Sequence, residues 1–322
     1  MSTKKALIFT ANTQDTAGYR EKGVWFNKFL MPYRGLKQRM VRLSTLVVLA
    51  FLVSYQAAFA SNILIVMSDV SQMKLKGGYD YKTGFYLNEL MEPVKIFMEA
   101  GHTLTFATPT GMAPTLDLVS DTRKHFLDES QENYNAHKAL FNRLMLNDKK
   151  HSPVVSFARI EQIGIENFDA VFVPGGHAPL GDLVTNDLLS KFLHHFHANS
   201  KPTGLVCHGP VALLSSLPNS AEFESDMRAG KKAKPAKGWI YAGYKMTVFS
   251  NSEEAVATKY YLSGDQLFYW PQNALTNAGG KYSHSKKDWA PHVVVDRELV
   301  TGQNNKSANA TAKELLKLLN NN

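Results

Sequence analysis

The stretch Gly204-Leu-Val-Cys-His-Gly-Pro210 decides how this 322-residue chain is read. A short apolar run ends at Cys207, and Gly209 with Pro210 then permits a sharp turn into a helix over residues 211–217. A strand that turns abruptly into a helix thrusts the turn residue out at the carboxyl edge of a sheet. The helix N-terminus there supplies positive potential, which favours a thiolate. Its backbone N–H groups suit a developing oxyanion. Cys207 is the chain's one cysteine, so no internal disulfide competes for it. A lone cysteine is often a small buried hydrophobe, but the residues around this one favour a nucleophile.

Two further segments carry chemistry. Val173-Pro-Gly-Gly-His-Ala178 follows the apolar run 168–174. Its paired glycines let backbone approach a ligand closely, and the N–H of Gly176 is an oxyanion donor to set beside that of His208. Thr83-Gly-Phe-Tyr-Leu-Asn-Glu-Leu-Met-Glu-Pro93 opens a segment with apolar residues at helical spacing, from Phe85 to Met98. Glu89 on that helix can share a proton with the thiol or carry protons during turnover. Taken alone, a Pro-Gly-Gly loop and a helix acid are each weak signals.

The unbroken apolar run 62–67 predicts a strand buried on both faces. Further strands are expected over 103–107, 245–249 and 292–296, and helices over 183–197 and 307–319. Residues 120–165 are polar and weakly periodic, and read as a helical insertion. Strands alternating with helices predict an α/β fold with a parallel sheet covered on both faces.

The formal net charge of +8 points at first to nucleic acid, but residues 1–60 hold +7 of it and the rest of the chain only +1. A nucleic-acid role loses its support. The N-terminal charge precedes the apolar run Leu46-Val-Val-Leu-Ala-Phe-Leu-Val53 and then Ala58-Phe-Ala60. That is the order of a signal peptide and its cleavage site. The run is about half of the ~20 residues a spanning helix needs. The expected organisation is an extension over 1–39, a signal peptide over 40–60 and an exported α/β domain over 61–322. An uncleaved membrane anchor is the competing reading.

The three chemical segments, in this order, resemble the ThiJ/PfpI superfamily, a branch of the class I glutamine amidotransferase-like fold, and within it the heat-shock chaperone and glyoxalase III subgroup. The matching positions are Thr83, Gly84, Glu89 and Pro93, then Pro174 to His177 with Asp182-Leu183 beyond. Cys207 to Pro210 and the closing Leu299-Val-Thr-Gly-Gln-Asn304 complete the set. The resemblance implies a flavodoxin-like sheet, a homodimer, no cofactor and a Cys-His-acid triad of Cys207, His208 and an acid after residue 249. Glu254 is the first choice for that acid and Glu253 the second; Asn251 stands where some relatives carry one.

The implied activity is glutathione-independent conversion of methylglyoxal or a similar 2-oxoaldehyde to a 2-hydroxy acid. Cys207 would attack the aldehyde, Gly176 and His208 N–H groups would hold the oxyanion, and His208 with Glu89 would move protons. A holdase chaperone or protein deglycase, and a cysteine peptidase or amidase, are the alternatives. Other features read as structural. His194, His195 and His197 do not converge on a metal. Phe268, Tyr269 and Trp270 read as packing, and the basic residues 231–237 as a solvated loop.

Overall fold

The computed structural model describes residues 60–321; the extension and the signal-type segment before Ala60 lie outside the described residues. Strand β1, Asn62–Val66, is the apolar run read from sequence, and its last four side chains are fully buried. It is flanked on both sides. Strand β4, Thr103–Thr108, and strand β6, Ala170–Val173, pair with it in parallel. Beyond β6 come β7, Thr203–Val206, and β11, Leu299–Gly302, both parallel. Two edge strands, β5 at Val155–Ser156 and β10 at Val293–Asp296, complete a seven-stranded sheet. Its order is β10-β11-β7-β6-β1-β4-β5. The five central parallel strands run 2-1-3-4-5 in chain order, the flavodoxin-like arrangement. Within this sheet only β10 runs antiparallel.

Alternation along the strands sorts side chains to two cores. Leu64, Val66, Val171, Val173 and Leu205 face one way, onto Phe192 and Phe196 of the helix Asp187–Ala198. Ile63, Ile65, Ala170, Phe172 and Val206 face the other. There they meet helix α1, Leu87–Glu99, and the closing helix Ala308–Asn321. The order in which the chain adds strands reverses between β1 and β6, and ligand sites in such sheets form at the carboxyl ends of strands beside that switch point.

The structure departs from or adds to the sequence reading at three places. Residues 245–249 are a strand only at Lys245–Met246 (β8), which pairs with Lys281–Tyr282 (β9) outside the main sheet. The buried tail of that segment instead braces the sheet end: Phe249 N donates to Cys207 O at 3.0 Å. The region 120–165, expected as a helical insertion, is helical over Gln131–Leu144 and Phe157–Ile163 but also carries a strand of the sheet. That strand is the edge strand β5, paired with β4. Finally, the hairpin of β2, Gln72–Lys74, and β3, Asp80–Lys82, gave no periodic signal, being only three residues per strand.

Among the described residues no helix is long and apolar enough to cross a membrane.

Candidate active site

Cys207 stands one residue past β7 with φ +60°, in the left-handed region that non-glycine residues avoid. Its backbone is held on both sides, with N donating to Gly302 O at 2.9 Å and O accepting from Phe249 N. The next segment, Gly209–Ser216, is a 3-10 helix rather than an α-helix. Gly209 is required where it stands, because a Cβ there would lie 2.5 Å from Val173 O. The loop after β6 packs against this elbow. A Cβ on Gly175 would sit 2.7 Å from Cys207 Cβ, from His208 N and from a Glu89 oxygen.

The side chains form one chain of contacts. Cys207 Sγ lies 3.3 Å from His208 Nδ1, and His208 Nε2 lies 2.8 Å from Glu254 Oε2. Glu254 sits in the first turn of the helix Asn251–Tyr260 and is fully buried. Glu89, in the first turn of α1, is fully buried, accepts from Gly175 N at 3.0 Å and stands close enough to Cys207 for its carboxyl to push the thiol pKa up. The Gly176 backbone also lies beside both groups and lowers the pKa of Cys207 and of Glu89.

Glu253 faces away from this chain. It closes a capping box with Ser250 at the start of the Asn251–Tyr260 helix and binds Gln303, Asn304 and Trp289 N. Asn251 is likewise outside the chain, with its N–H on Gln272.

Sequence reading missed His177 as a partner of the site. It is 2% exposed, its Nε2 lies 3.3 Å from Glu254 Oε1, and its ring centroid lies 4.2 Å from that of His208. The Pro-Gly-Gly-His motif was its only signal. The pocket over the sulfur is walled by Tyr86, Phe249, Tyr261 and Trp289, with His125 and Asn305. Its volume is about 20 Å³, room for a water-sized group. A wider hollow of about 390 Å³ shares His125, Tyr261, Trp289 and Asn305 with it, and adds Lys124 and Lys306.

Phe268 and Tyr269, by contrast, stack on Arg228 away from this pocket. His194 binds Ser190 O and His197 binds Glu298, so that cluster does not converge. Asn305, in the pocket wall, is buried and donates to His125 O.

Electrostatics correct one expectation. Burial pushes the Cys207 thiol well above its ordinary range, with the Glu89 carboxyl adding to the effect, and the Gly176 N–H opposes only in part. A buried sulfur loses more from desolvation than a short 3-10 helix returns. Burial and the neighbouring His177 also push the His208 pKa down, against the pull of Glu254. The resting pair is therefore a neutral thiol against a neutral imidazole. For Glu254, burial favours the neutral form, but His208 and His177 together outweigh it and hold the carboxylate at about 2.

Burial raises Glu89 from 4.5 to about 8, against the pull of Cys207 and the Gly175 N–H. Its folded pKa lies above its unfolded one, so the stability it contributes is full below 4.5 and is lost as pH rises to about 8. Urea midpoints should therefore fall for the wild type relative to Glu89→Gln between pH 5 and pH 8, then run parallel. A constant offset across that range would show that Glu89 is ionised throughout.

His177, His208 and Glu254 also bring three metal-ligand atoms within 4.8 Å of one another. Both carboxylate oxygens already engage an imidazole.

Fold and site together define an α/β protein with a cysteine at a nucleophile elbow and a buried acid beside it. Residues 81–263 match the ThiJ/PfpI family-like sequence family, and the chain belongs to that family. A glutamine amidotransferase-like class 1 domain-containing protein 1 of Bos taurus is 29% identical, over 67% of this chain and 80% of its own. A glutathione-independent glyoxalase of Schizosaccharomyces pombe is 25% identical, over 73% of this chain and 87% of its own. The crystal structure of glyoxalase III from Candida albicans shares the fold at TM-score 0.61 and 19% identity, covering 80% of this chain and 97% of that one.

Proposed function

We propose that this protein is a glutathione-independent glyoxalase that isomerises a small 2-oxoaldehyde to a 2-hydroxy acid. The observation that carries the reading is the Cys207–His208–Glu254 contact chain with Glu89 beside Cys207, under a pocket of about 20 Å³. His208 Nδ1 takes the thiol proton as Sγ attacks the aldehyde carbon, giving a hemithioacetal. The Gly176 and His208 N–H groups hold the oxyanion. Glu89, neutral below about pH 8, exchanges protons with the substrate oxygens. A 1,2-proton shift through an enediol then oxidises C1 to a thioester and reduces C2 to an alcohol, with no outside oxidant. Water releases the 2-hydroxy acid and returns the thiol.

A terminal aldehyde needs less room beside the sulfur than a peptide bond, which is flanked on both sides by chain. The segment from Arg34 to Ser61 supports an enzyme that works outside the cytoplasm. Cys207→Ala should lower methylglyoxal consumption and lactate formation by about 1,000-fold or more. Equal rates in the two proteins would overturn the reading.

A further inference from the structure

We propose that His177 is a second acid–base residue of the site, the group that carries the substrate proton from C1 to C2. The inference rests on the glyoxalase reading above. Glu254 is a fully buried carboxylate whose two oxygens meet two different imidazoles, His208 Nε2 at 2.8 Å and His177 Nε2 at 3.3 Å. A carboxylate only accepts hydrogen bonds. On a neutral ring at either position it fixes the same tautomer, with the proton on Nε2 and a lone pair on Nδ1.

On His208 that lone pair faces the sulfur. On His177 the Nδ1 is buried and has no hydrogen-bond partner. Leaving a buried polar atom unpaired costs about 1–3 kcal/mol, and such an atom in a native site calls for a reason. His177 lines the same pocket as Cys207. Tyr81 packs edge-on against its ring, centroids 5.4 Å apart, and Tyr81 OH is tied to Asp117 at 3.2 Å. The ring is thus clamped with one nitrogen spare.

The isomerisation needs one base that is not committed to the sulfur. His208 lies against Sγ and Glu89 stands beside Cys207, whereas the only side-chain hydrogen-bond partner of His177 among the described residues is Glu254. The C1 oxyanion takes back the proton held by His208, and in the resulting hemithioacetal His177 Nδ1 takes the proton from C1. The C–H electron pair becomes the C1–C2 double bond, and the C2 carbonyl pair moves to its oxygen, which Glu89 protonates. The imidazolium, stabilised at Nε2 by Glu254, then gives the same proton to C2. The C1–C2 pair forms the new C–H bond, the C1 hydroxyl loses its proton to Glu89, and the thioester carbonyl closes.

The test uses the whole protein with methylglyoxal deuterated at C1. Wild type should give lactate that keeps part of the deuterium at C2. His177→Gln, which retains a donor toward Glu254, should lower kcat by about 100-fold and lose that retention. Alkylation of Cys207 by iodoacetamide should stay within threefold of wild type. Kinetics within threefold of wild type, or alkylation slowed as much as turnover, would overturn the proposal. So would a His177 ring carrying its proton on Nδ1 in nitrogen-15 spectra of the wild type, a readout that needs no variant to fold. If the wild type turned over no 2-oxoaldehyde, the glyoxalase reading would fall, and this assignment with it.

Discussion

Glu254→Gln should cut kcat/KM on a 2-oxoaldehyde by about 1,000- to 10,000-fold while leaving the fold intact. The wild-type carboxylate accepts from two Nε2–H groups at once. An amide has one acceptor oxygen and one donor nitrogen, so one of the two rings must turn over its tautomer. If that ring is His208, its Nδ1 carries a proton toward Cys207 Sγ, 3.3 Å away, and cannot take the thiol proton. If it is His177, the spare Nδ1 lone pair is lost. The amide also removes the negative charge that stabilises either imidazolium.

The side chain keeps its volume, so the variant should still unfold in one cooperative transition, at a midpoint lowered at neutral pH by the loss of the carboxylate's charge; native-state spectra then separate lost chemistry from lost structure. Acid adds a second readout. The folded pKa of Glu254, about 2, lies below its ordinary 4.5. Its contribution to stability is full above 4.5 and is lost as pH falls toward 2. The wild type should therefore lose its advantage over the glutamine variant in that window. A Glu254→Gln variant with more than a tenth of wild-type kcat/KM would remove Glu254 from the catalytic chain.

Glu253→Ala should have the largest effect on stability, at least about 4 kcal/mol. The neighbouring acid is as buried as Glu254 but does different work. Its Oε1 accepts from Trp289 N and Asn304 Nδ2, both at 2.8 Å. Its Oε2 accepts from Ser250 N at 3.1 Å, Ser250 Oγ at 2.9 Å and Gln303 Nε2 at 2.9 Å. Removing the carboxylate strands these donors, several of them fully buried, and each stranded buried group costs about 1–3 kcal/mol. It also opens the capping box that sets the helix bearing Glu254. Urea unfolding should show a lower midpoint with an unchanged slope. A loss under about 1 kcal/mol would mean that water satisfies these groups.

The same residues show what a sequence reveals. The elbow was legible because its parts are contiguous: an apolar strand, Cys207, His208, then Gly209 and Pro210. Glu89 followed from a motif, and the helix-covered parallel sheet from the alternation of strands and helices. The choice between Glu253 and Glu254 was not legible, since adjacent residues on a helix point to different neighbours and only the fold shows which meets His208. The role of Gln303 and Asn304 was hidden for the same reason, as their shared partner Glu253 is about fifty residues away.

The pocket walls Tyr86, Phe249, Tyr261 and Trp289 come from distant segments with no common spacing. The low thiol pKa expected from a helix end failed because sequence shows the dipole but not the depth of burial, and desolvation dominates at a sulfur 3% exposed. Residues 245–249 read as a sheet strand by alternation, yet Thr247 and Phe249 bond to Thr301 and Cys207 across the sheet's end.

The left-handed backbone at Cys207 bears on how this lineage can change. A residue with a Cβ held in that conformation destabilises the folded chain by about 1–3 kcal/mol, while glycine takes it freely. Pressure for heat tolerance alone would thus replace the sulfur with a hydrogen atom and leave the scaffold sturdier. A descendant released from its chemistry, kept only for its shape, has its easiest gain at the one position it no longer needs. The thiol persists only while turnover is selected.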